Sequence, residues 1–450
     1  MVYEEHIENL LDVVEGLLAA GEVEQAVRLL ENRHAADQAD LIEHLDREDQ
    51  EKLVRALTPE QLGDILEHLS EDHRRQIVDE LPVDALAPIL NYVYEELAAD
   101  IVQDLPEERQ HQILPLLDER DWVTELLSYP EQSAGGRMSP DFVTLQRGWT
   151  VHEAIEFLRQ EAPDTNRPFY LYVVDDAGRL AGTVSLRSLV TAPPATSIGA
   201  ITNDDVISVV VTDDQEVAAE RMRHYNLLAL PVVDEEGRIR GVITPDSVLD
   251  VQVEEATEDM YRMVGLEEEE RIFRPIRESV PPRLAWLMVN LVTAFLAAST
   301  VSIFEGTIAD VAALAVFMPM VAGMGGNAGI QTITLVVRSI ALGEVGPTDA
   351  TRVIRHELVI ALIKGVVIGL IVGTVAWLWK DSAWLGLIAG FALLANILNA
   401  TLIGVLVPMT LKRLKADPAL ASGVIVTTFS DVVGLLFFLG LATLLVTRLT

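Results

Sequence analysis

Apolar and polar positions follow three successive patterns along the chain. From residue 34 to 117 they repeat every twelve residues, as HAADQADLIEHL, DREDQEKLVRAL, TPEQLGDILEHL, SEDHRRQIVDEL, PVDALAPILNYV, YEELAADIVQDL and PEERQHQILPLL. Six of the seven units close on Leu and the fifth on Val93, and most open on a residue suited to a helix N-cap or first turn. A unit this short cannot bury its apolar face alone, so the repeat predicts short helices stacked as a superhelix. The period then changes. LYVVDDAGRLAGTVSLRSLV at 171–190 aligns with LPVVDEEGRIRGVITPDSVL at 230–249, an offset of 59 residues. Each copy reads as a strand, a turn at Gly178 or Gly237, a second strand and a helix, and each follows an amphipathic helical segment at 151–161 or 215–225. Asp246 to Gly265 predicts one further helix. Beyond it, apolar stretches near 284–304, 310–340, 357–379, 383–411 and 419–446 are each long enough to cross a bilayer, which takes about 20 residues.

Charge sharpens this division. Residues 1–270 hold 20 Lys and Arg against 60 Asp and Glu, whereas residues 271–450 hold 13 against 9. The acidic half excludes nucleic-acid binding as its main business, because phosphate recognition needs clustered positive charge. The chain has no cysteine, so disulfides, thiolate metal sites and Cys nucleophiles are excluded. Nine scattered histidines offer no metal cluster. Only five Lys accompany 28 Arg, so part of the acid excess reads as a solvated, salt-adapted surface. The start, MVYEEHIENLL, has no basic n-region, and the soluble half is expected to stay in the cytosol. Basic residues precede the first span (Arg271, Arg274, Arg277, Arg283), separate the second from the third (Arg338, Arg352, Arg355) and follow the fourth (Lys412, Arg413, Lys415). By the positive-inside rule the N-terminus is cytoplasmic and the C-terminus external.

Two membrane segments carry more polarity than a lipid anchor needs. In 319–334 a proline and four glycines, among them Gly325 and Gly326, are expected to loosen the helix, and Asn327, Gln331, Thr332 and Thr334 add neutral oxygens. In the last span Thr428 and Ser430 flank Asp431, placed about 12 residues inside it, or roughly 18 Å. A carboxylate at that depth costs about 2.5–3.5 kcal/mol on insertion scales and is a functional candidate by default. Lys364 either snorkels or pairs with it. An acid among hydroxyls, amides and carbonyls, with no His or Cys nearby, suits a hard divalent cation. Gly365, Gly369 and Gly373, with Gly386 and Gly390, read as packing faces between spans.

The duplicated 59-residue unit resembles a tandem pair of CBS modules. Such modules commonly bind adenine nucleotides through S/T-x-x-D. Here Ser185-Leu-Arg-Ser188 and Thr244-Pro-Asp-Ser247 put Ser where that Asp belongs. ATP or AMP is therefore a doubtful ligand, with Tyr170 and Arg187 as what remains of a pocket.

The order of these parts, with AGGRMSP at 134–140, EEATED at 254–259, GGNAGIQT at 325–332, ADPAL at 416–420 and SDVVGLL at 430–436, is similar to the MgtE family of bacterial magnesium transporters. The resemblance implies a multidomain protein. Its parts would be an all-α superhelical N-terminal domain (1–130), an α/β tandem CBS domain (131–250), a connecting plug helix (246–267) and a five-helix transmembrane domain (271–450). It also implies a homodimer in the bacterial inner membrane that passes Mg²⁺, with Asp431 as pore carboxylate and Asn327 and nearby carbonyls holding the hydrated ion. Asp250, Glu255, Glu258 and Asp259 on the plug helix, with Asp214, Glu216 and Asp417, would bind intracellular Mg²⁺ and hold the pore shut. Asn226 and Ser247 stand where acids would be expected. The rivals are a secondary divalent-cation transporter coupled to H⁺ or Na⁺, a non-transporting membrane metal sensor and a CBS-regulated enzyme. For the enzyme the chain offers no nucleophile–base pair and no phosphate-binding loop.

Overall fold

The computed structural model describes residues 2–161, 170–267, 270, 272, 274–346, 348–420 and 423–449. Arg271 and the side chain of Tyr170, both invoked above, lie outside the described residues. The chain forms two compact units, Met1–Val253 and Glu254–Thr450.

In the first unit each twelve-residue repeat forms one helix: Ala35–His44, Arg47–Val54, Pro59–Leu66, Glu71–Glu80, Val83–Leu90, Glu95–Asp104 and Glu107–Ile113. The first residue of every repeat sits at the N-cap. Thr58 and Gln61 close a reciprocal capping box, Gln61 N donating to Thr58 Oγ1 at 3.3 Å and Thr58 N to Gln61 Oε1 at 3.0 Å. The eighth and ninth residues of successive repeats, such as Leu41 and Ile42, Ile65 and Leu66, and Ile101 and Val102, are buried in one continuous core. Alternate helices stack on one another, which is why the period yields a superhelix and not a bundle. Arg47 reaches Glu80 at 2.5 Å and Arg75 reaches Asp104 at 2.8 Å across these stacks. A Leu66→Ala change in such a core costs about 2–5 kcal/mol.

The two later modules each form a three-stranded sheet: β1 (Thr144–Gln146), β2 (Tyr170–Val174) and β3 (Leu180–Ser185), then β4 (Val209–Val210), β5 (Leu230–Val233) and β6 (Ile239–Ile243). In both, the first strand pairs parallel to the second and the second antiparallel to the third. The 59-residue offset is kept in register. Leu171 faces Val184 as Leu230 faces Ile243, and each second strand carries an irregularity at the same place, Val173/Val174 and Val232/Val233. Gly178 and Gly237 take φ of +76° and +81°, the left-handed turn conformation that glycine adopts without a Cβ penalty.

A helix Pro245–Val264 follows and ends at Gly265, where φ is +74°. Leu266 N bonds Tyr261 O at 2.9 Å, closing a left-handed C-cap, and a Cβ at Gly265 would collide with the indole of Trp286.

Among the described residues of the second unit, five helices are long and apolar enough to cross a membrane. They are Ile276–Ile303, Ala313–Ala341, Ala350–Lys380, Ala383–Arg413 and Gly423–Leu444, called the first to fifth spans below. The fourth is central, packing on the second, third and fifth. The third and fourth meet through glycines: a Cβ at Gly369 would lie 2.7 Å from Gly390 O, and one at Gly373 would lie 2.8 Å from Gly386 O. With no side chain between them the two backbones touch, as the glycine spacing predicts.

Candidate functional site

The polar segment of the second span does not loosen its helix. Ala313–Ala341 is continuous through Pro319 and all four glycines. The sequence expectation of an opened backbone there is corrected, and with it the supply of freed carbonyls. The glycines serve packing. A Cβ at Gly325 would collide with the side chain of Asn396 in the fourth span, and one at Gly329 with Val426 in the fifth. A Cβ at Gly326 would lie 3.3 Å from Thr427 Cγ2 and 3.7 Å from Ser430 Oγ. The residue before Asn327 therefore lies within about one methyl group's reach of the residue before Asp431. Asn327, Gln331 and Thr334 form an exposed stripe at i, i+4 and i+7 on the second span.

Asp431 lies eight residues past Gly423, about 12 Å along the helix Gly423–Leu444, and the candidate span that holds it runs from Pro418 to Leu444. Before it, Pro418–Leu420 forms a 3-10 turn, with Ala419 N bonded to Asp417 Oδ1 at 2.8 Å. Around Asp431 the hydroxyl protons are already committed. Thr428 Oγ1 donates to Val424 O at 2.6 Å and Ser430 Oγ donates to Thr427 O at 2.9 Å. Such oxygens keep lone pairs, so they can accept hydrogen bonds from water or face a cation. Ser430 is fully buried in the helix contact. Among the described residues Asp431 forms no ion pair. Lys364, offered as its partner, instead donates to Gln331 Oε1 at 3.5 Å.

Two polar residues in this unit escaped sequence reasoning. Asn396 is wholly buried between Gly325 and Gly434; its Nδ2 donates to Val321 O at 2.8 Å, and its Oδ1 has no partner. Glu357 is buried in the third span, about 10 Å from its start, with Thr332 Oγ1 3.4 Å from its Oε2. A Glu near a span end looks like interfacial polarity in sequence, and a lone Asn midway along an apolar span carries no direction. Only the helix packing shows that these two point inward.

The acids expected to sense metal are spread along Pro245–Val264 and beyond. Burial, then Asp246, raises the carboxyl pKa of Asp250, while Arg137 and Arg74 oppose the shift. Asp259 is pushed up to about 6, first by burial and then by Asp417 and Glu255, against the pull of Arg262. Arg262 pairs with both the buried Glu258 and Asp417. Asp214 caps the helix Gln215–Tyr225, accepting from Glu216 N at 2.8 Å. Asn226 ends that helix with φ +51°, a left-handed position that Asn tolerates. Among the described residues no three Asp, Glu or His side chains converge where a metal ion could sit.

Comparison with known proteins decides the family. The intracellular N domain of MgtE matches residues 33–132, the CBS domain matches 134–195 and 198–254, and MgtE itself, described as a divalent cation transporter, matches 318–441. The magnesium transporter MgtE of Thermus thermophilus is 39% identical over 338 residues, covering 73% of this chain and 74% of that protein. That of Enterococcus faecalis is 36% identical, covering 73% and 72%. The chain belongs to the MgtE family. It is an integral membrane protein of a transporter family, and the enzyme alternative falls with that assignment. Among solved structures, the cytosolic domain of the Mg²⁺ channel MgtE in complex with ATP is 36% identical, with TM-score 0.50, covering 54% of this chain and 99% of that one.

In this MgtE chain the CBS positions tied to nucleotide are turned on each other. Ser185 Oγ and Ser188 Oγ are 2.8 Å apart, and Thr244 Oγ1 and Ser247 Oγ are 3.1 Å apart. Neither pair offers a carboxylate for ribose hydroxyls. Arg187 lies on the exposed side of the first module's helix Leu186–Thr191.

Proposed function

We propose that this protein is a Mg²⁺-selective channel of the bacterial inner membrane that mediates magnesium uptake and is closed by intracellular Mg²⁺. The observation that carries the reading is Asp431, the one acid of the fifth span's described residues, close in sequence to the hydroxyls of Thr428 and Ser430, whose protons are bound elsewhere. A hydrated Mg²⁺ needs few carboxylates and many neutral acceptors, because it gives up water reluctantly. Asn327 and Thr334 supply further oxygens on the exposed stripe of the second span, and a second copy of the chain would complete the path as a homodimer. The N-terminus is cytoplasmic and the C-terminus external on this reading. Closure follows from Asp250, Glu255, Glu258, Asp259, Asp214, Glu216 and Asp417 gathering Mg²⁺ when its concentration is high, and repelling one another when it falls. ATP has no part in this proposal, since both ribose-binding acids are replaced by serine.

The test is Mg²⁺ flux into proteoliposomes at low and at millimolar internal Mg²⁺, for wild type and Asp431→Asn. We expect Asp431→Asn to lower flux at least about tenfold, the equivalent of about 1.4 kcal/mol, with the folded yield unchanged. Wild-type flux in the variant removes Asp431 from the pore. The rival of a secondary transporter gains from Glu357, a carboxyl buried within the third span. Flux that follows an imposed proton or Na⁺ gradient at fixed voltage would favour that rival.

A further inference from the structure

We propose that Arg262 is a tethered competitor of the regulatory cation, and that its guanidinium sets the internal Mg²⁺ concentration at which the protein closes. The inference rests on the reading of Glu258 and Asp417 as sensor acids. Arg262 stands in the last turn of Pro245–Val264, four residues after Glu258. Glu before Arg at that spacing is the favourable order on a helix, and Arg262 in the last turn complements the negative end of the helix dipole. Its guanidinium forks to Glu258 on its own helix and to Asp417 in the segment before the fifth span. Glu258 is almost wholly buried, so its carboxylate has lost most of its water and depends on protein partners for compensation.

Two carboxylates held by one guanidinium carry a net charge of −1. The same pair on a divalent cation would be neutral. Their oxygens cannot take the full geometry of both partners at once, since a forked arginine fixes the lone pairs that a hard cation would use. Among the described residues no three acids converge for a metal, whereas Arg262 holds two of them, Glu258 and Asp417, to one guanidinium. Arginine cannot lose its proton in a protein, so the competition does not fade with pH. Arg262 therefore differs from a passive tether in the sign of its effect. Removing a competitor tightens Mg²⁺ binding, whereas removing a tether loosens closure.

The experiment compares wild type, Arg262→Gln and Arg262→Lys as full-length protein in proteoliposomes, with flux read against internal Mg²⁺. A second readout is the midpoint of Mg²⁺-dependent protection from protease in detergent, which does not depend on transport. The expected result for Arg262→Gln is a fall of about three- to tenfold in the closing concentration and in the protection midpoint, since one charged pair is worth about 1 kcal/mol. Arg262→Lys should lie between it and wild type, because lysine keeps the charge without the fork. An unchanged or raised midpoint in Arg262→Gln overturns the proposal and makes Arg262 a structural tether. If Arg262→Gln does not fold, a protection midpoint for Arg262→Lys equal to or above that of wild type overturns it equally. Wild-type flux that ignores internal Mg²⁺ is a different outcome: it removes the parent reading, and this one with it.

Discussion

Two helix contacts in the membrane unit are built from the same residue to opposite ends. Between the third and fourth spans glycine meets glycine, with carbonyl oxygens within about 3 Å of where any Cβ would stand. Where the second, fourth and fifth spans meet, glycines instead receive polar side chains: Asn396 against Gly325 and Gly434, and Ser430 and Thr427 against Gly326. The first contact leaves no rotamer free to change. The second places an amide beside the helix that carries Asp431 and turns two hydroxyl side chains of that same helix onto Gly326. A small residue in a membrane helix thus says that something approaches closely, and the approaching group decides whether the contact is a joint or a site.

That contrast can be broken from either side. The largest effect should come from Gly390→Val, whose side chain would meet Gly369 O, 2.6 Å from a Cβ there. Overpacking of this kind costs about 1–3 kcal/mol or more, so the folded yield in detergent should drop along with flux. Asn396→Ala should act differently. It forfeits the bond to Val321 O and leaves a small cavity, a cost of about 1–3 kcal/mol, but it also removes a buried oxygen that has no partner. We expect the folded yield to hold while flux falls, and the ratio of flux loss to stability loss should separate the two variants. Equal ratios would erase the distinction.

The smallest effect lies outside the spans and serves as their control. Asp259 has a carboxyl pKa raised to about 6. A raised carboxyl binds more protons in the folded state than in the unfolded one, so its contribution to stability is present at low pH and is lost as pH rises through about 6. Metal-free protein in detergent should show a thermal midpoint that declines between pH 5 and 7, and Asp259→Asn should flatten that decline. Gly390→Val and Asn396→Ala should leave its slope alone.

Much of this architecture could be read from spacing. The twelve-residue units, the 59-residue offset and the five spans are repeated signals, and each maps onto helices or strands, although the first and third spans begin at Ile276 and Ala350, earlier than the apolar pattern placed them. Asp431 was legible because a carboxylate in an apolar run is expensive wherever it points. The second span was misread because Pro and Gly weaken a helix in isolation, while close packing against Asn396, Thr427 and Val426 restores it. Asn396, Glu357 and the fork of Arg262 were not legible. Their meaning comes from which helix lies opposite, and one sequence holds no record of that pairing.

The N-terminal superhelix has a consequence for how such a chain can change over generations. Each residue turns a helix by about 100°, so deleting a single one would swing a buried pair such as Ile65 and Leu66 out of the core and move the next N-cap off its place. Deleting twelve restores every later cap and every later buried pair to its old phase. The length of this arm is therefore quantised, and inheritance can lengthen or shorten it only in whole steps, as one adds or removes links from a chain.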